Sequence, residues 1–362
     1  MSGSKVVDRR SGSRVDGGLR AGRPTMQDVA RLAGVSPKTV SRVLNMESAV
    51  SRPLEERVEK AVATLGYRLN STARSLRTGV DSSSIGLVIA DLLNPFYAHV
   101  AKAVETVADR HGCMVVIASS GEDPKREQSL VLAMLARPVD GVIVVPAGQD
   151  HRYLEGPRRL GAAVVFVDRP PSRITADAVV LDNLGGSRLA VEHLIAQGHR
   201  RIGFVGDSAT LSTLKERLTG YSEALAGAGI AYDPELVKLG SRRVELAEAA
   251  ATQLLGSDDP PTAIFAENNR NCVGVIRAVW RAQRPVAVAA FDDLELADEL
   301  RLPLTLVTYD AEEIGRTAAE TLFARLGGDS RPPSRIVIPT RLVIHGRPLT
   351  GAQVRDGGTT TS

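Results

Sequence analysis

The sequence predicts a small all-α head joined to a larger α/β body of two doubly wound lobes. Three observations carry that expectation. Residues 25–68 hold three short helical patterns separated by turn residues. Beyond residue 84, short apolar runs alternate with helical segments, in two successive series. Charge is divided unevenly: residues 1–79 hold 15 Lys and Arg against 7 Asp and Glu, net +8, whereas residues 80–362 hold 30 against 35, net −5. A basic head on an acidic body is the footprint of a nucleic-acid-binding module joined to something else.

In the head, Thr25 is a good N-cap for a first helix running through Val29, Leu32 and Ala33. "GVS" breaks it. Ser36 caps a second helix with Pro37 at its first position, a favoured pairing, and Val40, Val43 and Leu44 form its apolar face. A third helix begins at Ser51 or Arg52, before Pro53, and runs to Leu65, with Leu54, Val58, Ala61, Val62 and Leu65 inward and Tyr67 as a lid. Two helices joined by a tight turn containing Gly34 read as a helix-turn-helix, whose second helix enters the major groove. Lys38 and Arg42 lie one turn apart there. Like charges at that spacing cost a free helix a few tenths of a kcal/mol, roughly. An anion against the helix relieves that repulsion. Both side chains can donate to guanine O6 and N7 or to phosphates.

The flanks and the bulk composition narrow the classes. Residues 1–23 read as a disordered basic arm and 351–362 as a disordered tail. No run of about 18 apolar residues occurs, so no membrane span is expected. The N-terminus lacks an apolar h-region, so secretion is not expected and a cytoplasmic, nucleoid-associated protein is. Cys113 and Cys272 stand far apart in apolar contexts and read as buried thiols, neither disulfide nor metal ligands.

In the body, "IGLVIA" (85–90), "CMVVIAS" (113–119), "GVIVVP" (141–146), "AVVFVD" (163–168) and "AVVLD" (178–182) form one series of strands. "RIGFVG" (201–206), "ELVKLG" (235–240), "AIFAE" (263–267) and "VAVAAFD" (286–292) form the second. Helices near 96–110, 125–136, 186–197, 216–228 and 271–281 lie between them. Such near-continuous apolar strands mean parallel sheets buried on both faces. Ligands of these sheets bind beyond the carboxyl ends of the strands. Polar groups recur there: Asp91 and Asn94, Asp168 and Arg169, Asp182 and Asn183, Asp207, Glu267 to Asn269, Asp292 and Asp293.

The segments "TMQDVARLAGVSPKTVSRVLN", "VSRPLEERVEKAVATLGYRLNSTARSL", "IGLVIADLLNPFYAHVAKAVE", "RPVDGVIVV", "LDNLGGSRLAVEHLIAQGHRRIGFVG" and "FDDLELADELRLPLTLV" resemble the lactose-repressor/purine-repressor (LacI/GalR) family of bacterial transcription regulators, over about residues 25–348. The resemblance implies a helix-turn-helix domain at 24–69, a hinge helix and linker at 70–83, and a periplasmic-binding-protein-like (type I) effector domain at 84–350. It implies three crossings between lobes, placed near 182–184, 307–310 and 326–336. Lobe 1 is then about 84–182 plus 310–326, and lobe 2 about 184–307 plus 336–350. It also implies a homodimer on a pseudo-palindromic operator of double-stranded DNA. The chain lacks a leucine-rich C-terminal tetramerisation helix, so a dimer is expected.

By the same resemblance, Pro37, Lys38 and Arg42 match base-reading positions, with Pro37 silent or touching a thymine methyl. Thr25, Ser36, Thr39, Ser41, Asn45, Ser51 and Tyr67 match phosphate- or groove-contacting positions. "NSTARSL" (70–76) matches the hinge helix, with Asn70, Ala73 and the minor-groove wedge Leu76. Phe96 and Tyr97 match aromatic positions near the effector, and Asp168, Arg217, Asn268 and Asp292 match positions that bond its hydroxyls or carboxylates. Thr213 and Tyr309 are further candidates. Carboxylate, guanidinium and amide groups converging on one cleft suit a polyol, so a sugar or sugar derivative is the expected effector, with a purine or another metabolite as the other branch. Two departures fall on one side of this cleft: Asn269 stands where the family usually has Asp, followed by Arg270, and "WRAQRPVAV" is shorter than the usual connection.

The function expected is a sequence-specific DNA-binding regulator, a repressor gated by a small molecule. An enzyme is disfavoured. No G-x-G-x-x-G follows the first strand, no Ser-His-Asp or paired-carboxylate arrangement stands out, and neither cofactor nor metal is called for. A solute-binding protein would fit the body but not the basic head.

Overall fold

The hydroxyl of Thr25 accepts from the amide of Asp28 at 3.3 Å, and the Asp28 carboxylate accepts from the amide of Thr25 at 2.9 Å. This capping box starts α1 (Met26–Ala33) in the computed structural model, which describes residues 25–44, 50–65, 83–137, 139–300, 302–346 and 349–355. Gly34 ends the helix at φ 63°, a left-handed cap that glycine adopts without strain. Ser36 then opens α2 (Pro37–Leu44), its hydroxyl accepting from the amide of Thr39 at 3.1 Å. From α3 (Arg52–Leu65), Arg57 donates to the carbonyls of Ala33 (2.6 Å) and Gly34 (3.0 Å), which ties the turn to the third helix. The miniature core is Val29, Ala30, Ala33, Val40, Val43, Leu44, Val58, Ala61 and Val62, all buried. Leu32, expected in the apolar set, is 51% exposed, and Leu54 and Leu65 are half-buried. The expected arm (1–23), the hinge helix (70–76) and Asn45 and Tyr67 lie outside the described residues.

The body holds two parallel-rich sheets. The first series runs β1 (Ser83–Ile89), α4 (Pro95–Arg110), β2 (Cys113–Ser119), α5 (Pro124–Leu135), β3 (Gly141–Val144), α6 (Glu155–Arg159), β4 (Ala163–Asp168) and β5 (Asp177–Leu181). The second runs α7 (Asn183–Ala196), β6 (Ile202–Val205), α8 (Ser212–Gly227), β7 (Val237–Lys238), α9 (Val244–Leu255), β8 (Ala263–Ala266), α10 (Asn269–Ala282), β9 (Ala287–Phe291) and β10 (Leu304–Thr308). Then come α11 (Ala311–Leu326), β11 (Arg335–Ile338), β12 (Arg341–His345) and α12 (Gly351–Arg355). Sheet order is β2-β1-β3-β4-β5-β11 in lobe 1 and β7-β6-β8-β9-β10-β12 in lobe 2. Only β12 runs antiparallel to its neighbour among the described strands. The helices pack closely. A Cβ at Gly220 on α8 would lie 2.3 Å from the carbonyl of Leu184 on α7, so glycine sets that helix–helix distance.

The chain crosses between lobes after β5, after β10 and after β11. The third crossing corrects the expected 326–336. β11 pairs with β5 in lobe 1, Val337 opposite Val180, so the chain crosses at Pro339 and Thr340. The cause is local. Asp177 at the start of β5 accepts from Arg325 Nε and Nη2 (2.8 and 2.9 Å) and from the amide of Ser334 (2.9 Å). That holds the loop after α11 on lobe 1. The tail is corrected as well, because residues 351–355 form α12. The amide of Gly351 donates to the carbonyl of Gln197 at 2.9 Å, and the buried His199 ring meets the carbonyl of Leu349 at 2.9 Å. Burial on both faces fails for β2, an edge strand whose Met114, Val116 and Ile117 are exposed. No described helix is long and apolar enough to cross a membrane.

Candidate effector cleft and DNA-reading helix

In the head, α2 turns Val40, Val43 and Leu44 inward. Pro37, Lys38 and Arg42 are exposed, and Thr39 and Ser41 half-exposed, on the rest of its surface. Thr25, Ser36 and Ser51, each beside a helix start, are exposed as well. The helix and its preceding Ser36 thus present two cations and three hydroxyls on a core that fixes the helix's orientation. Asn70, Ala73 and Leu76 lie outside the described residues, as do Asn45 and Tyr67.

In the body, all eight residues expected at the effector site line one cleft between the two lobes, of about 920 Å³. Its floor has a repeated design. β4 and β9 occupy the same place in their two sheets, and an aspartate of left-handed backbone stands at the end of β4 and directly after β9, Asp168 at φ 70° and Asp292 at φ 76°. Such a conformation is uncommon outside glycine, though aspartate and asparagine tolerate it best, and it collects at ligand sites. A buried or half-buried tyrosine serves each carboxylate. Tyr97 donates to Asp168 at 3.1 Å and Tyr309 donates to Asp292 at 2.6 Å. Phe96 packs edge-on against both tyrosines.

The guanidinium groups are committed to partners. Arg169 makes a fork of two 2.7 Å bonds to Glu122. Arg217, fully enclosed, donates to Asn183 (2.9 Å) and to the carbonyl of Glu267 (2.7 Å), lies 3.3 Å from the Glu267 carboxylate, and covers the Phe291 ring at 3.7 Å. Arg242 pairs with Asp207 at 3.7 Å and Arg270 with Asp91. Asp123 caps α5 through the amides of Lys125 and Arg126. Arg169 Nε also lies 3.4 Å from Asp168 and Arg217 Nη2 3.9 Å from Asp292, so four guanidinium groups meet seven carboxylates among the described lining residues, and the cleft keeps a surplus of acceptor oxygens. Asn268 is also committed: its oxygen accepts from the amide of Asn271 at 2.9 Å to start α10, and its amide donates to Glu267 at 2.8 Å. Thr213 is buried in the first turn of α8, on the cleft wall.

Burial sets the electrostatics. It pushes the Glu267 carboxyl up to about 7, helped by the charges of Asp207 and Asp292 and opposed by Arg217. Burial likewise raises Asp168 and Asp207 and holds the phenols of Tyr97 and Tyr309 well above their ordinary range. Both tyrosines are therefore donors at neutral pH.

Glu122, Asp123, Gln149, Thr210 and Arg242 also line the cleft and were not singled out from sequence. Glu122 and Gln149 follow β2 and β3, so the rule that ligands meet strand carboxyl ends reaches them too when applied to every strand.

Residues 25–70 match the family described as bacterial regulatory proteins, lacI family, and residues 191–346 match a periplasmic binding protein-like domain. The chain is 31% identical to the ribose operon repressor of Haemophilus influenzae over 88% of this chain and 97% of that one. The solved structure of a transcriptional regulator CelR–cellobiose complex superposes with a TM-score of 0.66 at 30% identity, covering 91% of this chain and all of that one. The lac repressor dimer bound to operator and an anti-inducer gives 0.66 at 27%, covering 91% and 99%.

Proposed function

Because the chain belongs to the lacI family of bacterial regulatory proteins, a family of DNA-binding transcription regulators, we propose that it is a repressor whose DNA affinity an uncharged sugar controls from the interlobe cleft. The observation that carries the sugar is the surplus of carboxylates. Four guanidinium groups among the described lining residues meet seven carboxylates, and Asp168 and Asp292, reached by Arg169 and Arg217 at 3.4 and 3.9 Å, face the cleft as acceptors on left-handed backbone. Two carboxylates with spare lone pairs accept from neighbouring hydroxyls, and the faces of Phe96 and the tyrosines suit the apolar side of a sugar ring. The same surplus of negative charge disfavours a phosphorylated sugar, and no aromatic pair is arranged to sandwich a purine among the described lining residues. The CelR relative was solved with cellobiose, which supports a carbohydrate.

On DNA, the reading assigns Pro37, Lys38 and Arg42 to base edges, and Thr25, Ser36, Thr39, Ser41, Asn45, Ser51 and Tyr67 to the backbone and groove. Asn70, Ala73 and Leu76 belong to the hinge at the centre of a pseudo-palindromic operator. The protein acts as a homodimer in the cytoplasm. β2 supports this: it pairs on one side only among the described strands and exposes Met114, Val116 and Ile117, an edge that a second copy would cover. The effector changes the angle between lobes by binding one state better than the other, since a ligand of equal affinity shifts nothing.

Thermal unfolding against a panel of sugars, sugar phosphates, nucleosides and purines tests the reading. A ligand at a hundred times its dissociation constant adds about 2.7 kcal/mol to the native state. A shift with a neutral sugar, abolished by Asp292→Asn, supports the assignment. A shift with purines or sugar phosphates alone overturns it.

A further inference from the structure

The cleft contains polar links between the lobes that use no ligand. Two of them join the helix starts that face each other across it. Arg270, in the first turn of α10 on lobe 2, pairs with Asp91 after β1 on lobe 1. Its neighbour Asn269 donates from Nδ2 to Asn94 Oδ1 at 3.0 Å. We propose that Asn269 and Arg270 form a latch that holds the cleft closed in the free protein, so that the effector enters only when the latch releases. This rests on the reading of the cleft as the effector site.

Both ends of the latch are fixed before it closes. On lobe 1, the Asp91 carboxylate accepts from the amide of Leu93 at 2.9 Å, and Asn94 caps α4 by accepting from the amide of Phe96 at 3.1 Å. On lobe 2, Asn268 caps α10, and the amide of Asn269 donates to Asp292 at 3.2 Å. Closure thus costs little side-chain entropy at Asp91 and Asn94, and on lobe 2 the backbone that carries Asn269 and Arg270 is already set.

The residue types matter. Asn94 Oδ1 already accepts from Phe96, so its partner must be a donor. An asparagine at 269 supplies an N–H. An aspartate would set a carboxylate against that oxygen, beside Asp91 and Asp292. Arg270 then brings the one positive charge that Asp91 meets across the gap among the described residues. Both members of the ion pair keep about a third of their side-chain surface in solvent, 35% and 29%. Pairs that wet are weak, so this is a latch that thermal motion opens and not a lock.

The test reads the distance between lobes in the full chain without effector. Dyes are placed at Lys125→Cys on α5 and Lys215→Cys on α8, both exposed, with the two native cysteines replaced by alanine, and the labelled protein is mixed into an excess of unlabelled chain so that energy transfer stays within one chain. The unmodified latch should give a predominantly closed population. Arg270→Ala and Asp91→Ala should each raise the open-to-closed ratio about two- to fivefold, the double variant no more than either alone, and Asn269→Asp in the same direction. A wild-type chain that is mostly open, variants with the wild-type distribution, or a double variant equal to the product of the singles would each overturn the latch. None of these needs a sugar, so failure here leaves the effector reading standing, and failure of the sugar panel leaves the latch standing.

Discussion

The hydroxyl of Tyr309 donates to Asp292 at 2.6 Å and so joins the cleft floor to a crossing between lobes. Asp292 directly follows β9 on the cleft floor, and Tyr309 lies on the second crossing between lobes, just after β10. A ligand that takes up Asp292 is therefore felt directly at a hinge. Removing the phenol in Tyr309→Phe leaves the ring packed on Phe96 and deletes one bond to a carboxylate. Such bonds are worth about 1.5–3 kcal/mol. The bond is made in the free protein, so its unfolding midpoint should fall, and because Asp292 loses the donor that orients it the affinity for the effector should fall as well, by about tenfold in calorimetric titration. Unaltered affinity would remove Tyr309 from the site.

Stability should decline with rising pH through the range set by Glu267. Its folded carboxyl lies at about 7, above the 4.5 of the unfolded chain. Between these values the native state holds a proton that the unfolded state has lost, so the contribution is fully present below pH 4.5 and lost as pH rises through 7. Asp168 and Asp207, also raised by burial, act in the same sense. Glu127 opposes them. Hydrogen bonds from His151, Tyr153 and the Ala147 amide outweigh its burial and lower it, so its contribution is lost as pH falls. Glu267→Gln cannot ionise and should flatten the slope between pH 5 and 7 by up to about 3 kcal/mol across the window. Urea unfolding at stepped pH measures it, and an unchanged slope would show that Glu267 is not the titrating group.

The head and the alternation of strands and helices were legible because both are local. Cap residues, turn glycines and apolar periods lie within a few residues of what they determine, as at Thr25, Ser36 and Gly34. The cleft was half legible. Strand ends announce themselves, and all eight expected residues meet there. What was hidden is long-range. The role of Arg57 as a clamp on α1 depends on a contact 23 and 24 residues away. The third crossing depends on Asp177 meeting Arg325 and Ser334, 148 and 157 residues on. The side-chain pattern of β11 is the same whichever sheet it joins. The exposed face of β2 was missed for a related reason: an apolar run reads the same at the edge of a sheet as at its centre.

Substitutions on α2 should separate reading from anchoring. Arg42 and Lys38 stand on its exposed surface. With an operator selected from random DNA, Arg42→Ala should cost about 1–3 kcal/mol and relax the preference at one base position in each half-site. Ser36→Ala, which removes a hydroxyl that also caps the helix, should weaken binding evenly across sequences. Fluorescence anisotropy on a set of single-base operator variants distinguishes the two. An even loss for Arg42→Ala would make it a phosphate contact and not a reader.

The edge of lobe 1 gives the last prediction. Val116 and Ile117 on β2 are 42% and 43% exposed and Met114 64%, although these are residues that strands normally bury. β1 covers one side of the strand, Leu87 opposite Ile117, and among the described strands nothing covers the other. If a second copy seals this edge, Ile117→Lys places a charge where apolar surface should meet apolar surface. Sedimentation velocity should then move the protein from dimer to monomer at micromolar concentration, while each chain keeps its fold, since the side chain is already half in water. Operator affinity should fall steeply with it, because two heads on one rigid dimer engage two half-sites at the effective concentration of a tether, and separate heads do not. A variant that stays dimeric would move the interface to another face of the body, and one that becomes monomeric yet binds operator as tightly would break the link between pairing and DNA binding.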